Sequence, residues 1–278
     1  MASDQKIVSA PLPVPGQLLD AATMPAHWLL ARLGKKVMRP GGLPVTRTML
    51  DGLTIGPGDD VVDLAPGLGV TVQLVQAARP ASFRGLERGE VEAERARRLG
   101  AVPYTCVVAP PEATGLDDGS ASVVYGEAVL SLETDDTKRL IIAEAARLLR
   151  PGGRLGLHEL LLRPEAASEQ TKREVEDELT RTLRVRARPL TLAEWTGLLH
   201  EGGFDVIMAS PAPMSLLSPP TFVRDEGLAG TVQFLARTAR EPGAPQRLSV
   251  IWRIFQRYRR NLGAVALVAR KRPAPDGV

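Results

Sequence analysis

The sequence predicts an α/β fold: a mostly parallel seven-stranded sheet with helices on both faces, a helical N-terminal cap and a helical insertion before the last strand. Three observations predict it. Short apolar runs such as Val61-Val62 and Val123-Val124, bounded by Gly, Pro and Asp, alternate with longer segments of helical period. The first of these runs turns through two glycines straight into a helical segment. Finally, 278 residues at 44% hydrophobic content supply one large core and too little for two domains of ordinary size. The chain therefore divides into an N-terminal arm and cap (1–53), a core (54–210) with a lid (163–189), an insertion (211–261) and a final core strand (262–272).

The core is organised around Val61-Val62-Asp63-Leu64-Ala65-Pro66-Gly67-Leu68-Gly69-Val70. It reads as a strand, a tight loop and a helix start. Glycine lets such a loop adopt conformations other residues avoid and lets a ligand approach the main chain. The helix that follows presents unpaired N–H groups to whatever sits there. Asp63, at the strand end, would repel a dinucleotide diphosphate and hold a ligand ammonium. Val72 stands where a dinucleotide fingerprint wants a third Gly or Ala. Both disfavour a nicotinamide cofactor and favour one with a positive, amino-acid-like end. About twenty residues on, Ser82 to Arg88 reads as a second strand with Glu87 at its tip, where a ribose hydroxyl pair is bound. The structural alternative is a plain strand-turn-helix with solvated acids.

Four motifs in this order carry a resemblance. Asp63 to Gly69, Glu87, the run Leu116 to Val124 and the run Ala145 to Leu155 resemble the consecutive signatures of class I S-adenosylmethionine-dependent methyltransferases, closest to the small-molecule group that includes ubiquinone and menaquinone C-methyltransferases. The match covers Asp59 to Asp205. It implies a Rossmann-like sheet with an antiparallel last strand, and S-adenosyl-L-methionine as cofactor. By position, Asp63 anchors that cofactor, Ala65, Pro66, Gly67 and Gly69 let it approach, Glu87 binds its ribose, and Arg88 and Ala109 border its adenine. The pre-strand residues Gly41, Gly42 and Thr46 are candidates for its methionine end, with a plain loop between two helices as the structural alternative. The chain departs from the pattern at Ala109-Pro110-Pro111-Glu112, where the family usually has Gly-Asp-Ala: Pro110 brings neither a carboxylate nor an N–H.

Composition limits the partners. With 35 basic and 32 acidic side chains the net charge is +3, too mild for a protein that coats nucleic acid. The single Cys106, in an apolar run, is expected to be a buried, inert thiol, in keeping with a cytoplasmic protein. No apolar run approaches a membrane span and the N-terminus lacks the apolar stretch of a signal peptide. No His/Cys/Asp cluster has metal-ligand spacing, so no metal is expected.

Taken in order, Met1 to Gly16 is a proline-broken arm, and Leu18 to Met38 is helical with a stop at Gly34. The turn Arg39-Pro40-Gly41-Gly42 leads to a second helix, Leu43 to Leu53. A helix from Glu90 to Leu99 stops at Gly100, and its Arg95, Arg97 and Arg98 form a solvated face. The third strand is Pro103 to Val108. The fourth, Ala121 to Gly126, ends at Glu127, beside the reacting methyl on this topology. Glu127 is a candidate for holding cofactor or substrate, stabilising a cation or accepting a proton; capping the next turn is the structural alternative. Lys138 to Leu149 is an amphipathic helix. The fifth strand, Arg154 to His158, puts His158 at the ligand edge as the first candidate for a base, with a satisfied structural histidine as the alternative. His27 and His200 fall on helices far away in sequence.

The lid helix lies within Glu165 to Arg188, and its arginines are nearly offset by neighbouring acids. Thr191-Leu192-Ala193-Glu194 is a capping box opening a helix with Trp195, Leu198 and Leu199. Phe204 to Ala209 is the sixth strand. In the insertion, Pro220 to Ala239 carries Leu228, Val232 and Leu235 in register. Gln246 to Arg260 places Leu248, Ile251, Trp252, Phe255 and Tyr258 on one side. That aromatic stripe is core, a substrate wall, or the contact of a homodimer. The resulting expectation is methyl transfer to a small apolar or aromatic acceptor. An RNA methyltransferase and a non-catalytic S-adenosylmethionine-binding protein are the alternatives.

Overall fold

The computed structural model describes residues 19–99 and 104–273. The arm from Met1 to Gly16, the stop at Gly100 and the start of the third strand at Pro103 lie outside the described residues. Two helices precede the sheet: α1 (Ala26–Leu33) and α2 (Leu43–Leu53). The core alternates β1 (Asp60–Asp63), α3 (Val70–Ala77), β2 (Ser82–Glu87), α4 (Glu90–Leu99), β3 (Tyr104–Val108), β4 (Ala121–Glu127), α5 (Asp135–Leu148) and β5 (Leu149–Leu162). Then come α6 (Glu169–Leu183), α7 (Leu192–Glu201), β6 (Phe204–Pro213), α8 (Pro219–Arg240), α9 (Ala244–Arg257) and β7 (Leu262–Lys271).

The strands form one seven-stranded sheet in the order β3-β2-β1-β4-β5-β7-β6. All neighbouring pairs from β3 to β5 are parallel, whereas β7 runs antiparallel to both β5 and β6. The order reverses at β1, between β2 and β4, which opens a crevice at the carboxyl ends of these strands.

Both faces of the sheet's middle are covered, so β1, β4 and β7 are buried almost continuously, whereas the edge strand β6 alternates less and more exposed residues. Val61 packs with Met49, Leu53, Phe83 and Val268 on one face, while Val62 packs with Val124, Leu157 and Trp195 on the other. In β7, Ala264, Ala266 and Val268 face the first layer and Val265, Leu267 and Ala269 the second, all fully buried. Trp195 keeps its indole N–H satisfied by donating to the Leu160 carbonyl at 2.9 Å. The capping box of α7 forms as its sequence dictates: Thr191 accepts from the Glu194 N–H and Glu194 from the Thr191 N–H.

Four elements depart from the sequence expectation, each for a physical reason. α1 starts at Ala26 rather than Leu18, because Asp20 folds 20–24 into a turn that accepts the Thr23 and Met24 N–H groups, and Pro25 then opens the helix. It ends at Gly34, the expected stop or break, in the left-handed region (φ 102°), and the stretch from Lys35 to Met38, also helical in pattern, is not helix. β5 continues past His158 to Leu162, and β6 past Ala209 to Pro213, because β7 supplies a ladder for both extensions. In α8, Gly227 breaks the helical backbone (φ 73°, ψ 170°). Residues before and after it follow different registers: Phe222 and Phe234 are buried, while Leu228, Val232 and Leu235 face solvent at 75%, 67% and 61% exposure. Among the described residues no helix is long and apolar enough to cross a membrane.

Candidate active site

At the carboxyl end of β1 the backbone folds into the loop the glycines predict. Gly67 and Gly69 both adopt positive φ (57° and 75°). They differ in surroundings: a Cβ on Gly69 would stand 2.5 Å from the Leu99 side chain, whereas Gly67 is exposed with open space beside it. Gly69 serves packing, and Gly67 leaves room for an approaching molecule. Asp63 is buried. Its Oδ1 accepts the Ala65 N–H at 3.1 Å and its Oδ2 accepts the Tyr125 hydroxyl at 2.6 Å, so the carboxylate organises the loop. Burial pushes its carboxyl up to about 7, with the charges of Glu127 and Glu87 adding to the rise. Glu87 reaches from the tip of β2 to accept the Gly67 N–H at 2.7 Å, and burial raises it also to about 7. Pro66 is buried against this turn, within 2.6 Å of a Cβ placed on Gly85.

The adjoining edge is built from β2 and β3. Ala109 donates its N–H to the Glu87 carbonyl at 2.9 Å. Arg88 forms a fork to Glu112 at 2.8 and 2.7 Å, with a third bond to Glu133 at 3.0 Å. The carboxylate absent from position 110 is thus supplied at this edge by Glu112, two residues later.

At the end of β4 a second group of side chains closes over Glu127. Thr46 and Thr71 donate their hydroxyls to its two oxygens, at 2.5 Å each, and Arg39 approaches Oε2 at 3.2 Å. Burial would raise this carboxyl; the Arg39 guanidinium, with bonds from His158 and Thr46, outweighs burial and holds it at about 2. His158 is fully buried. Its Nε2 meets the Pro40 carbonyl, and its Nδ1 lies 3.2 Å from Thr46 Oγ1 and 3.3 Å from Glu127 Oε1. Gly42, in the same turn as Pro40, caps α2 with φ 72° and lies under α8, where a Cβ would meet Asp225. Glu159, the next residue along β5, accepts from the N–H groups of Val129, Leu130 and Ser131 and from the Ser131 hydroxyl. It pins the segment after β4 to β5.

Beyond β4 and β5 lies an apolar cavity of about 90 Å³. Its floor includes Ala128, Leu132 and Leu160, and its walls come from α1, α6 and α9 through residues such as Leu30, Leu179 and Phe255. None of its lining residues is Asp, Glu, Lys or Arg. Cap, lid and insertion, three segments far apart in sequence, meet here.

Residues 62–157 match the family model described as a methyltransferase domain. The matched segment, from β1 into β5, is a methyltransferase domain by sequence. A protein of Haemophilus influenzae described as uncharacterized is 26% identical over 250 residues, covering 88% of this chain and 97% of its own. Among solved structures, the MccD protein superposes with a TM-score of 0.63 at 17% identity, over 84% of this chain and 100% of its own. Phosphoethanolamine N-methyltransferase 2 of Haemonchus contortus, solved with S-adenosyl-L-methionine, gives 0.65 at 17% identity, over 88% of this chain and 56% of its own. At this identity the two structures establish a shared fold.

In this methyltransferase the structure gathers Asp63, Ala65, Pro66, Gly67, Gly69 and Glu87 around one loop, with Arg88 and Ala109 at its flank. It gathers Thr46, Glu127 and His158 into the neighbouring cluster. Sequence reasoning missed Arg39 and Thr71, which complete that cluster, and His27, which lines the cavity. Thr71 was legible as a hydroxyl in the first turn after the glycines. Arg39 and His27 had no local signal, because tertiary packing of the cap brings them in. Cys106 is buried with its thiol pushed up to about 11 by burial, an inert group.

Proposed function

We propose that the chain transfers a methyl group from S-adenosylmethionine to a small, uncharged, apolar or aromatic acceptor held in the cavity beyond β4 and β5. The observation that carries this reading is the pairing of Glu87 with the exposed Gly67 N–H at the carboxyl ends of β1 and β2, on a sheet whose neighbouring strand β4 leads through Ala128 into an apolar cavity. Gly67, with open space where a side chain would stand, and the Glu87 carboxylate fit a nucleoside that needs a ribose acceptor and close main-chain approach. When bound, the cofactor supplies an activated methyl on a sulfonium.

The remaining work belongs to the chain. Asp63 fixes the loop through the Ala65 N–H; Ala65, Pro66, Gly67 and Gly69 form the cradle; Glu87 accepts from the ribose hydroxyls. Arg88 and Ala109 border the adenine, with Glu112 held at that edge by the Arg88 fork. Gly42 and Thr46 flank the methionine end. Glu127, kept ionised by Arg39, Thr46 and Thr71, places a fixed negative charge beside the sulfonium. His158 spends both ring nitrogens on Pro40, Thr46 and Glu127, and so acts by positioning the anion and the pre-strand turn. The cap, lid and insertion exclude water and orient the acceptor, an effect worth up to about 7–11 kcal/mol in an aligned pair.

The lid arginines support a small-molecule acceptor over RNA. Arg181 on α6 pairs with Glu178, and beyond the helix Arg186 pairs with Glu176 and Arg188 with Glu176 and Asp135, so these lid arginines are offset by acids rather than gathered into a basic face. The exposed stripe of Leu228, Val232 and Leu235 on α8 supports a homodimer formed through the insertion. Light scattering should give twice the chain mass, and V232K should give a monomer; a wild-type monomer at tens of micromolar rejects that contact.

Equilibrium dialysis against labelled S-adenosylmethionine tests the site. Asp63→Ala should weaken binding by tenfold or more, because the loop loses its anchor. Undiminished affinity would remove Asp63 from the site.

A further inference from the structure

One side chain that lines the cavity carries a buried polar atom with nothing to bind. Among its lining side chains only His27 and Ser131 carry a nitrogen or oxygen. The Ser131 hydroxyl is engaged, donating to Glu159 at 2.6 Å and accepting the Leu160 N–H at 2.9 Å. The Pro40 carbonyl at the cavity wall already meets His158. His27 differs: its Nδ1 is buried and has no hydrogen-bond partner. Its ring is held edge-on against Trp28, with centroids 5.5 Å apart, on α1.

A buried polar atom left bare costs roughly 1–3 kcal/mol, and such an exception in a cavity points to a missing ligand atom. Burial lowers the imidazole to about 4, so the ring is neutral at physiological pH and carries one N–H. Carried on Nδ1, that proton would be a buried donor without an acceptor. The ring is only partly buried, so Nε2 can hold the proton toward water, leaving Nδ1 as a bare lone pair.

We infer that His27 is the acceptor-orienting base of this methyltransferase, and that its acceptor is a compact neutral molecule whose single hydroxyl, phenolic or alcoholic, donates to His27 Nδ1. The inference rests on the methyl-transfer reading above and deepens it. The step balances as follows. A lone pair of the acceptor oxygen forms the new bond to the methyl carbon as the carbon–sulfur bond breaks, its electron pair passing to sulfur. The hydroxyl proton passes to Nδ1, and the ring releases its other proton from Nε2 to water. A weak base suffices, because the oxygen becomes strongly acidic only as its bond to carbon forms. A carboxylate or ammonium acceptor is excluded by a cavity without a charged partner. The cavity is smaller than the roughly 150 Å³ that accommodates benzene, so entry requires α1, α6 or α9 to yield slightly.

The probes are phenol and toluene, which share shape and differ in the hydroxyl. Binding is read by ligand-observed NMR with S-adenosylhomocysteine present. Wild type should bind phenol about five- to tenfold tighter than toluene, a hydrogen bond of ordinary net strength. His27→Phe keeps the ring and loses the lone pair; it should erase or invert that preference while S-adenosylhomocysteine affinity stays within twofold. Leu183→Trp fills the cavity and should abolish binding of both probes. Equal binding of the two probes by wild type, an unchanged preference in His27→Phe, or phenol binding that survives Leu183→Trp would overturn the inference. Failure of every variant and of wild type to bind S-adenosylhomocysteine would instead overturn the methyl-transfer reading itself.

Discussion

Three carboxylates at the ends of β1, β2 and β4 differ in protonation because their partners differ. Asp63 and Glu87 are raised to about 7, first by burial, with few cations near. Glu127 is held at about 2 because Arg39, His158 and Thr46 outweigh the same burial. A raised carboxyl binds its proton more readily in the folded chain than in the unfolded one. Its contribution to stability is therefore complete below the unfolded value near 4 and is lost as pH rises through about 7. Thermal stability of the ligand-free protein should fall as pH rises from about 4 to about 7, by on the order of 1 kcal/mol or more for each acid, with the lowered imidazole of His27 offsetting part of the fall below about pH 6.5. Glu87→Gln keeps an oxygen for the Gly67 N–H and removes the charge. It should flatten part of that slope while weakening S-adenosylmethionine binding roughly ten- to hundredfold. A slope identical to wild type in calorimetric scans would deny Glu87 its raised carboxyl. His158→Ala leaves the Pro40 carbonyl and one side of Glu127 without a partner; denaturant titration should register a loss of about 1–3 kcal/mol, and an unchanged midpoint would make His158 dispensable to the cluster.

Elements that close on local signals were legible in the sequence. β1, the glycine loop, α2 and the capping box of α7 fall where their own residues put them, because each is fixed by interactions a few positions long. Features that depend on distant partners were not. His158 reads as a strand-end histidine at the ligand edge; the contact that turns it toward Pro40 comes from a segment 118 positions away. His27 looks remote until α1 folds over β4 and β5. The stripe on α8 has good helical spacing, yet the break at Gly227 decides which side meets the cap. That break also brings Asp225 and Glu226 onto the pre-strand segment. Glu226 accepts the Lys36 and Val37 N–H groups at 2.9 Å each and faces the buried Lys35 ammonium at 3.5 Å. Lys35 also lies 4.3 Å from the Phe222 ring centroid. The insertion thus clamps the cap through one carboxylate. Glu226→Ala should cost about 3–5 kcal/mol, because it leaves a buried cation unpaired. Glu226→Gln, which keeps an oxygen for the two N–H groups, should cost clearly less. Equal losses in denaturation experiments would assign the clamp to charge alone.

Across the whole molecule, the sheet order places the glycine loop and the β4–β5 cavity side by side, while the cap, lid and insertion cover the second. This division explains why the core was recognisable from four short motifs and the acceptor was not: motifs record the shared cofactor end, whereas the roof is assembled from three segments whose meeting is a tertiary event. A ligand that binds only the folded chain at a hundred times its dissociation constant adds about 2.7 kcal/mol of stability, which for a chain of this size raises the melting temperature by roughly 5–10 °C. The most direct measurement is a calorimetric titration of the wild-type protein with S-adenosylhomocysteine beside one with NAD. The account predicts saturable one-site binding of the thioether nucleoside in the micromolar range and none of the dinucleotide. Absence of heat with S-adenosylhomocysteine up to millimolar concentration, or tighter binding of NAD, would contradict it.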